Sequence, residues 1–174
     1  MTLVALSKEK SWEFLAAMSQ AWEWTQQRPR FYLETGGNQS VEAYLEDAKA
    51  PEKKQIAVVD DGQLVSVITV RLVSDDAFEI HVTSCKGASA QTVTDALKAV
   101  RDSLFQTMNA KVILTSCPLY GKHEHKGSRQ LAEACGMTIT GAEWKSAFDE
   151  NVLWREYEIT KGQYYGQSKT SPNQ

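Results

Sequence analysis

Residues 77–117 read AFEIHVTSCKGASAQTVTDALKAVRDSLFQTMNAKVILTSC, and they decide the fold. The segment 77–85 alternates as a strand does, 90–108 carries apolar residues at helical spacing, and 111–117 is again strand-like. A strand, a helix and a strand of these lengths form a crossover unit, so the two strands are expected to be parallel. Between the first strand and the helix lies a short loop of mostly small residues.

Strand-like and helical segments continue without interruption on both sides of this unit, from Gln55 to Cys135. Upstream, two strand-like runs at 55–59 and 63–73 flank an Asp-Gly pair, which predicts a hairpin. Three closely connected strands pair antiparallel by default. The other predicted elements are a strand at 2–6, a helix at 8–22 capped by Ser7, a helix at 41–48 capped by Ser40, a helix at 128–135 ended by Gly136, and strands at 137–141 and 151–160.

These elements predict an α/β fold, with antiparallel central strands, one parallel pair and helices on both faces of a mixed sheet. We expect one domain over residues 1–160. Residues 161–174 lack periodicity and are expected to form a C-terminal tail.

Composition limits the possible functions. The chain has 174 residues and a net charge of −3, without a block of like charges, so nucleic-acid binding is not expected. No apolar run approaches the ~20 residues that a membrane span requires, and the N-terminus does not resemble a signal peptide. Three cysteines at wide spacing, Cys85, Cys117 and Cys135, are not a disulfide framework. We therefore expect a cytoplasmic protein that binds neither nucleic acid nor membrane.

The loop SCKGASAQ, residues 84–91, opens the longest helix. Backbone N–H groups at a helix N-terminus have no partner within the helix and can hold a phosphorylated ligand. The small side chains allow such a ligand to approach the backbone closely. The loop is therefore a candidate phosphate site.

The element order resembles that of the GNAT superfamily of N-acetyltransferases over residues 2–160. A second, local match is HKGSRQLAEACGM, residues 125–137, which is similar to a family segment where an asparagine precedes a short helix ending in Gly-Phe. Here Gly136-Met137 takes the place of Gly-Phe. The resemblance implies that the parallel strands splay apart, that acetyl-CoA lies between them, and that its acetyl group passes to an amine by direct attack.

The same resemblance assigns candidate co-substrate residues. The family binds the pyrophosphate on backbone amides of the loop, where Lys86 could also meet a phosphate, and His125 matches the family's asparagine. The implied acyl-CoA contacts are Val82, Thr83, Lys86, Gly87, Ala88, Ser89, Ala90 and His125. The loop departs from the family motif because it has one glycine and no clean repeat of the pattern.

Two ionisable residues on one face of the strand at 77–85 are candidate catalytic groups. Glu79 and His81 alternate with Phe78 and Ile80 on a strand whose two faces are both expected to be covered. In the family a glutamate on this strand often deprotonates the amine, and an imidazole titrates near neutral pH. The alternative is a structural role, in which this end of the strand is exposed or the pair bonds to loop residues.

The general acid is less clear. Many family members have a tyrosine four residues before the glycine of the last helix, where this chain has Ala132. Tyr120 lies nearby in sequence and is the remaining candidate for a proton donor. The loop 23–40 falls where the family contacts its acyl acceptor. His123 and His125 lack a third spaced ligand, so no metal site is expected.

The alternative function is that of a GNAT-fold protein that has lost catalysis and acts in binding or assembly. The closing WREYEITKG, residues 154–162, is similar to small phage-encoded members that accompany virion head or internal proteins. In that case the partners would be proteins and the location could be a virion. In the enzyme case the partner would be an amine, on a small molecule or a protein.

Overall fold

The described residues of the computed structural model contain a mixed sheet of eight strands. Its strands are β1 (Thr2–Ala5), β2 (Lys53–Asp60), β3 (Gln63–Ser74), β4 (Ala77–Ser84), β5 (Val112–Tyr120), β6 (His123–Glu124), β7 (Thr138–Ala147) and β8 (Glu150–Thr160). The structure describes residues 1–8, 11–27, 40–120, 123–124, 126–147 and 150–168, without the side chains of 11, 120, 123–124, 146–147, 150 and 168.

The strands follow the order β1-β2-β3-β4-β5-β8-β7, and β6 pairs with β5 beside this path. Strands β4 and β5 are parallel, whereas the other described pairs are antiparallel. The parallel pair therefore lies near the middle of the sheet, where the crossover pattern of the sequence predicted it.

Helices cover both faces, as predicted. They are α1 (Ser11–Gln26), α2 (Val41–Ala48), α3 (Ala90–Gln106), α4 (Lys126–Ala134) and α5 (Lys161–Ser168). Helices α1 and α2 pack together on one face, and α3 and α4 lie on the other. No helix in the described part of the chain is long and apolar enough to cross a membrane.

Local sequence signals place the ends of these elements. Asp61 and Gly62 both have positive φ, 48° and 78°, as a tight two-residue hairpin turn requires. The Ser40 side chain accepts a hydrogen bond from the Ala43 N–H at 3.2 Å, which caps α2. Gly136 follows α4 with a φ of 75°. These turn and cap predictions are confirmed.

Each face of the sheet has its own hydrophobic core. The larger core joins β2–β5 and β8 to α3, α4 and α5, and its most buried residues include Ile68, Ile80, Ala96, Phe105 and Ile159. The smaller core joins α1 and α2 to β3, and it includes Phe14, Met18, Trp24, Tyr44 and Val67. The sheet thus separates two hydrophobic cores that are formed by different helices.

The C-terminal segment differs from the sequence-based expectation. Residues 161–168, expected to begin an aperiodic tail, form α5. Tyr164 on this helix is buried, its ring stacks on Phe105 at 4.6 Å, and its hydroxyl accepts a hydrogen bond from Gln106 at 2.8 Å. Tertiary packing of one aromatic residue, rather than a periodic apolar stripe, holds this helix.

Candidate functional site

Strands β4 and β5 separate part of the way along their length. Their pairing runs from Ala77 opposite Val112 to Glu79 opposite Leu114, although both strands continue for several residues. At the end of the ladder the Thr115 hydroxyl donates a hydrogen bond to the Ile80 carbonyl at 2.8 Å. We call the gap beyond this bond, between residues 80–84 and 116–120, the slot. The splayed parallel pair that the resemblance implied is present.

The backbone of Val82 faces the slot. Alternate residues of an antiparallel ladder direct their N–H and C=O groups toward opposite neighbours. The Cys85 N–H bonds to Val65 on β3 at 3.0 Å, whereas the Ile80 carbonyl is turned toward β5. Val82 lies two residues from Ile80 on the same strand, so its N–H and C=O also point away from β3. An extended ligand in the slot could pair with these groups as an added strand would.

A cavity of about 410 Å³ lies at the slot and is lined by residues from both faces of the sheet. On the face covered by α3 and α4 its wall is mainly apolar, and is formed by Ile80, Val82, Leu97, Leu131, Ala132 and Met137. The other face of the same cavity is polar. The slot therefore connects an apolar trough on one side with a polar chamber on the other.

The polar chamber has a floor built from three adjacent strands. The pairing register of β2, β3 and β4 places six polar side chains in two rows on one face of the sheet: Lys53, Arg71 and Glu79 in one row, and Gln55, Thr69 and His81 in the next. All six line the cavity, and α2 contributes Tyr44 and Asp47 above them. We call the six residues the polar floor. A sheet face covered by a helix is normally apolar, so this polar floor needs a polar ligand or a polar network to explain it.

Glu79 is the electrostatic centre of the polar floor. Its side chain is 14% exposed, and its two carboxylate oxygens contact different partners: Arg71 Nη2, and His81 Nε2 at 3.3 Å. Burial by itself would raise the pKa of this carboxyl. The hydrogen bond and charge of His81, together with those of Arg71, outweigh burial and lower the pKa to about 2. Glu79 is therefore ionised at neutral pH and is a weak base.

Other polar side chains of the chamber also have hydrogen-bond or ion-pair partners. Asp47 on α2 bonds to Lys53 at 2.6 Å. The buried Gln55 donates from Nε2 to the Ala48 carbonyl at 2.8 Å, which fixes the orientation of its amide. Burial, and next the charge of Asp47, raise the pKa of Tyr44 to about 12, although a hydrogen bond to Thr83 opposes the shift. The Tyr44 phenol is therefore protonated at neutral pH.

The loop after β4 has the geometry of an anion-binding turn. The Ala88 N–H bonds to the Cys85 carbonyl at 3.2 Å, and Gly87 takes a φ of 100°. Ser89 caps α3 by accepting from the Thr92 N–H at 3.3 Å. The first N–H groups of α3 and the positive end of the helix dipole then face the loop, beside the exposed Lys86. The role of this loop as a phosphate site stays a prediction.

The structure brings together some of the predicted site residues. Glu79 and His81 are in contact, and Val82 and Thr83 line the same cavity. Lys86, Gly87, Ala88, Ser89 and Ala90 form the loop and the first residue of α3, where a ligand leaving the slot would pass. Their assignment as acyl-CoA contacts stays a prediction.

Two predicted residues cannot be placed in the site. Tyr120 ends β5, but its side chain lies outside the described part, and His125 lies outside it altogether. Residues 28–39, which are most of the predicted loop 23–40, are also outside the described part. Ala132 is 1% exposed and lines the cavity, so this wall carries a methyl group at the position where the resemblance would imply a tyrosine.

Sequence reasoning missed several residues of the polar floor. The sequence predicts Gln55, Thr69 and Arg71 only as parts of strands, and Lys53 falls just before the strand predicted at 55–59. A signal existed, because Thr69 and Arg71 interrupt the apolar run of β3 with a period of two. Their position beside Glu79 depends on the register between strands, which one sequence does not provide.

No protein-family model and no curated protein matches the sequence. Solved structures do match it. A point variant of spermidine N-acetyltransferase from Vibrio cholerae superposes with a TM-score of 0.73 at 14% identity, covering 97% of this chain and 99% of that one. A GNAT-family acetyltransferase from Bacillus anthracis gives a TM-score of 0.68 at 15% identity, with coverage of 85% and 91%.

A third similar structure is aminoglycoside 6'-acetyltransferase type Ii, with a TM-score of 0.64 at 18% identity and coverage of 92% and 97%. Likeness at these identities concerns the fold. The GNAT architecture predicted from the order of elements is confirmed over nearly the whole chain.

Proposed function

We propose that this chain, which has the GNAT fold, is an N-acetyltransferase that moves the acetyl group of acetyl-CoA to an amine. One observation carries the proposal: the slot between β4 and β5 joins an apolar trough to a polar chamber. A thioester held in the slot would meet an amine that arrives from the polar chamber. The two substrates would thus approach from opposite faces of the sheet.

Acetyl-CoA fits the trough side of the slot. The amide-bearing pantetheine arm can pair with the backbone of Val82, while Leu97 and Leu131 contact its methylene groups. The loop from Lys86 to Ala90 lies at the positive end of α3 and can bind the diphosphate through its N–H groups. The cavity residues and the loop together suit a long ligand with one anionic end.

The polar chamber supports direct attack. The amine nitrogen adds to the thioester carbonyl carbon, the carbon–sulfur bond breaks, one proton leaves the nitrogen and the CoA thiolate takes up a proton. The pKa of about 2 makes Glu79 a poor acceptor for that proton, because the ideal base has a pKa near the working pH. We assign proton removal to His81, directly or through water, and assign Glu79 to positioning His81 and attracting the ammonium form of the amine.

The candidate proton donors for the thiolate are solvent, Ser116 and Tyr120. Ser116 lies in the slot wall on β5, and Tyr120 ends the same strand. Ala132 cannot donate a proton. Loss of a general acid lowers rates by ~10²–10⁴, so a turnover number at the low end of the usual enzyme range is expected.

The nature of the acceptor is a separate question. Two of the similar structures are named for spermidine and for an aminoglycoside, both of which are amines. For this chain we propose an amine acceptor of some kind and a cytoplasmic location. The alternative of an idle assembly protein is favoured by the departures at Ala132 and in the loop, and by the similarity of residues 154–162 to phage-encoded members. The comparisons give a virion role no support.

The proposal is tested with a double variant, Glu79→Gln with His81→Gln. Purified protein is incubated with acetyl-CoA and a panel of amines, and the acetylated product is measured by mass spectrometry. We expect product with at least one amine in the wild type and loss of ~10²-fold or more in the double variant, because the base is gone. Glu13→Gln, an exposed carboxylate on α1, is the control.

A measurement of acetyl-CoA binding distinguishes a loss of catalysis from a loss of the acetyl-CoA pocket. Acetyl-CoA at 100 times its Kd should stabilise wild type and double variant alike by ~2.7 kcal/mol in thermal unfolding. Unchanged turnover in the double variant would refute the catalytic assignment. Absence of both stabilisation and product in the wild type would refute the enzyme proposal.

A further inference from the structure

We infer that the acceptor is an amine that also carries a carboxylate a few bonds away, as an amino acid does, and that Arg71 binds this carboxylate. The inference rests on the proposed function and specifies its acceptor. It also separates this chain from the relatives named for spermidine and an aminoglycoside, since neither of those names denotes a carboxylated amine.

The carboxylates of the polar chamber are already paired with cations. Asp47 is bound by Lys53 at 2.6 Å, and Glu79 contacts both Arg71 and His81. In the described part of the cavity wall these are the acidic side chains, so a second ammonium group of a polyamine would find no free carboxylate. It would instead lie close to Lys53 and Arg71, and like charges at such distances repel.

Arg71 has binding capacity left over. Its side chain is 44% exposed, compared with 14% for Glu79, and it forms part of the cavity wall. The contact to Glu79 is made through Nη2, and Nε is buried, so the exposed part of the guanidinium is its Nη end. A guanidinium carries five N–H donors in a planar fork, which suits a second carboxylate.

The spacing of the cationic groups limits the acceptor further. Arg71 and His81 touch the two oxygens of one carboxylate, that of Glu79, and therefore lie within a few ångströms of each other. An amine beside His81 would face the slot, where the thioester would be. A carboxylate bound by Arg71 must then belong to the same small molecule, only a few bonds from the amine.

The experiment compares matched amines that differ by one carboxylate: lysine with 1,5-diaminopentane, phenylalanine with phenethylamine, and both pairs with spermidine. We expect kcat/KM to be roughly 10-fold or more higher for the carboxylated member, as one charge-assisted hydrogen-bonded contact provides. In Arg71→Gln, KM for the carboxylated amine should rise by roughly 10–100-fold, while KM for acetyl-CoA should stay unchanged.

Two further variants guard against a purely structural effect. Arg71→Lys retains a cation beside Glu79 but loses the planar fork, so its KM should lie between those of the wild type and Arg71→Gln. Lys54→Gln removes an exposed cation from the other face of β2 and should leave every KM unchanged. Calorimetric titration of each amine into the protein with bound CoA gives binding constants that do not depend on turnover.

The possible failures are distinct. Equal or better use of the amines without a carboxylate would overturn the inference and leave the acetyltransferase proposal standing. Failure of every carboxylated amine to bind in calorimetry, in a protein that does bind acetyl-CoA, would overturn it as well. Only a protein that neither binds acetyl-CoA nor acetylates any amine would overturn both.

Discussion

Glu79 is held ionised although most of its side chain is buried. Burial alone would favour the neutral acid, yet the contacts with His81 and Arg71 lower its pKa to about 2. A carboxylate this weak as a base can attract an ammonium ion and orient an imidazole, but it does not readily take a proton. In the proposed mechanism, His81 therefore removes the proton, and Glu79 positions His81.

The low pKa of Glu79 makes the stability of the protein depend on pH. Because the folded-state pKa lies below the ordinary value of 4.5, the stabilisation is fully present above pH 4.5 and is lost as the pH falls toward about 2. We expect Glu79→Gln to melt at a lower temperature than the wild type at neutral pH. The gap should shrink as the pH falls from 4.5 toward 2.

Calorimetric melting temperatures over this pH range provide the measurement. The exposed variant Glu13→Gln serves as the control and should follow the wild type throughout. A gap between wild type and Glu79→Gln that stays constant from pH 4.5 down to the lowest pH at which both proteins fold would contradict the assigned interactions.

The turn between β4 and α3 is the element that we propose binds the co-substrate. Gly87 lies at its tip with a φ of 100°, and a Cβ built there would meet no atom within 4 Å. Space is therefore not the reason for a glycine at this position. The backbone conformation is, because a side chain disfavours positive φ by about 1–2 kcal/mol.

Gly62 offers a matched comparison, because it has a φ of 78° and equally open space around its missing Cβ. We expect Gly87→Ala and Gly62→Ala to lose similar stability, about 1–2 kcal/mol each, in denaturant titrations. Only Gly87→Ala should also weaken acetyl-CoA binding in calorimetry, since relief of the strain would turn the loop N–H groups away. Acetyl-CoA affinities that are equal in the two variants would argue against a role for this loop.

At the scale of the whole molecule, the sequence predicted the architecture better than the site. The local signals were confirmed in the fold: they are the period-two patterns, the Asp61-Gly62 turn and the Ser40 cap. The polar floor is different, because Arg71 comes to lie beside Glu79 only through the register of β3 against β4. Likewise α5 depends on a tertiary contact of Tyr164, which no local pattern encodes.

The sheet as a whole also explains why the slot suits transfer between two substrates. The slot penetrates the layer that separates the two cores, so one ligand can lie against α3 and α4 while the other lies beneath α2. Val82 has its backbone at the slot edge and is the point where a bound thioester arm would be held.

Hydrogen exchange read by mass spectrometry tests this claim most directly. Saturating acetyl-CoA should slow exchange in a peptide covering residues 80–91, which contains the Val82 amide and the loop amides. A peptide covering residues 1–8, which contains β1, should exchange at an unchanged rate because this strand lies at the sheet edge and contributes no residue to the cavity wall. Unchanged exchange over residues 80–91 with saturating acetyl-CoA would contradict the account.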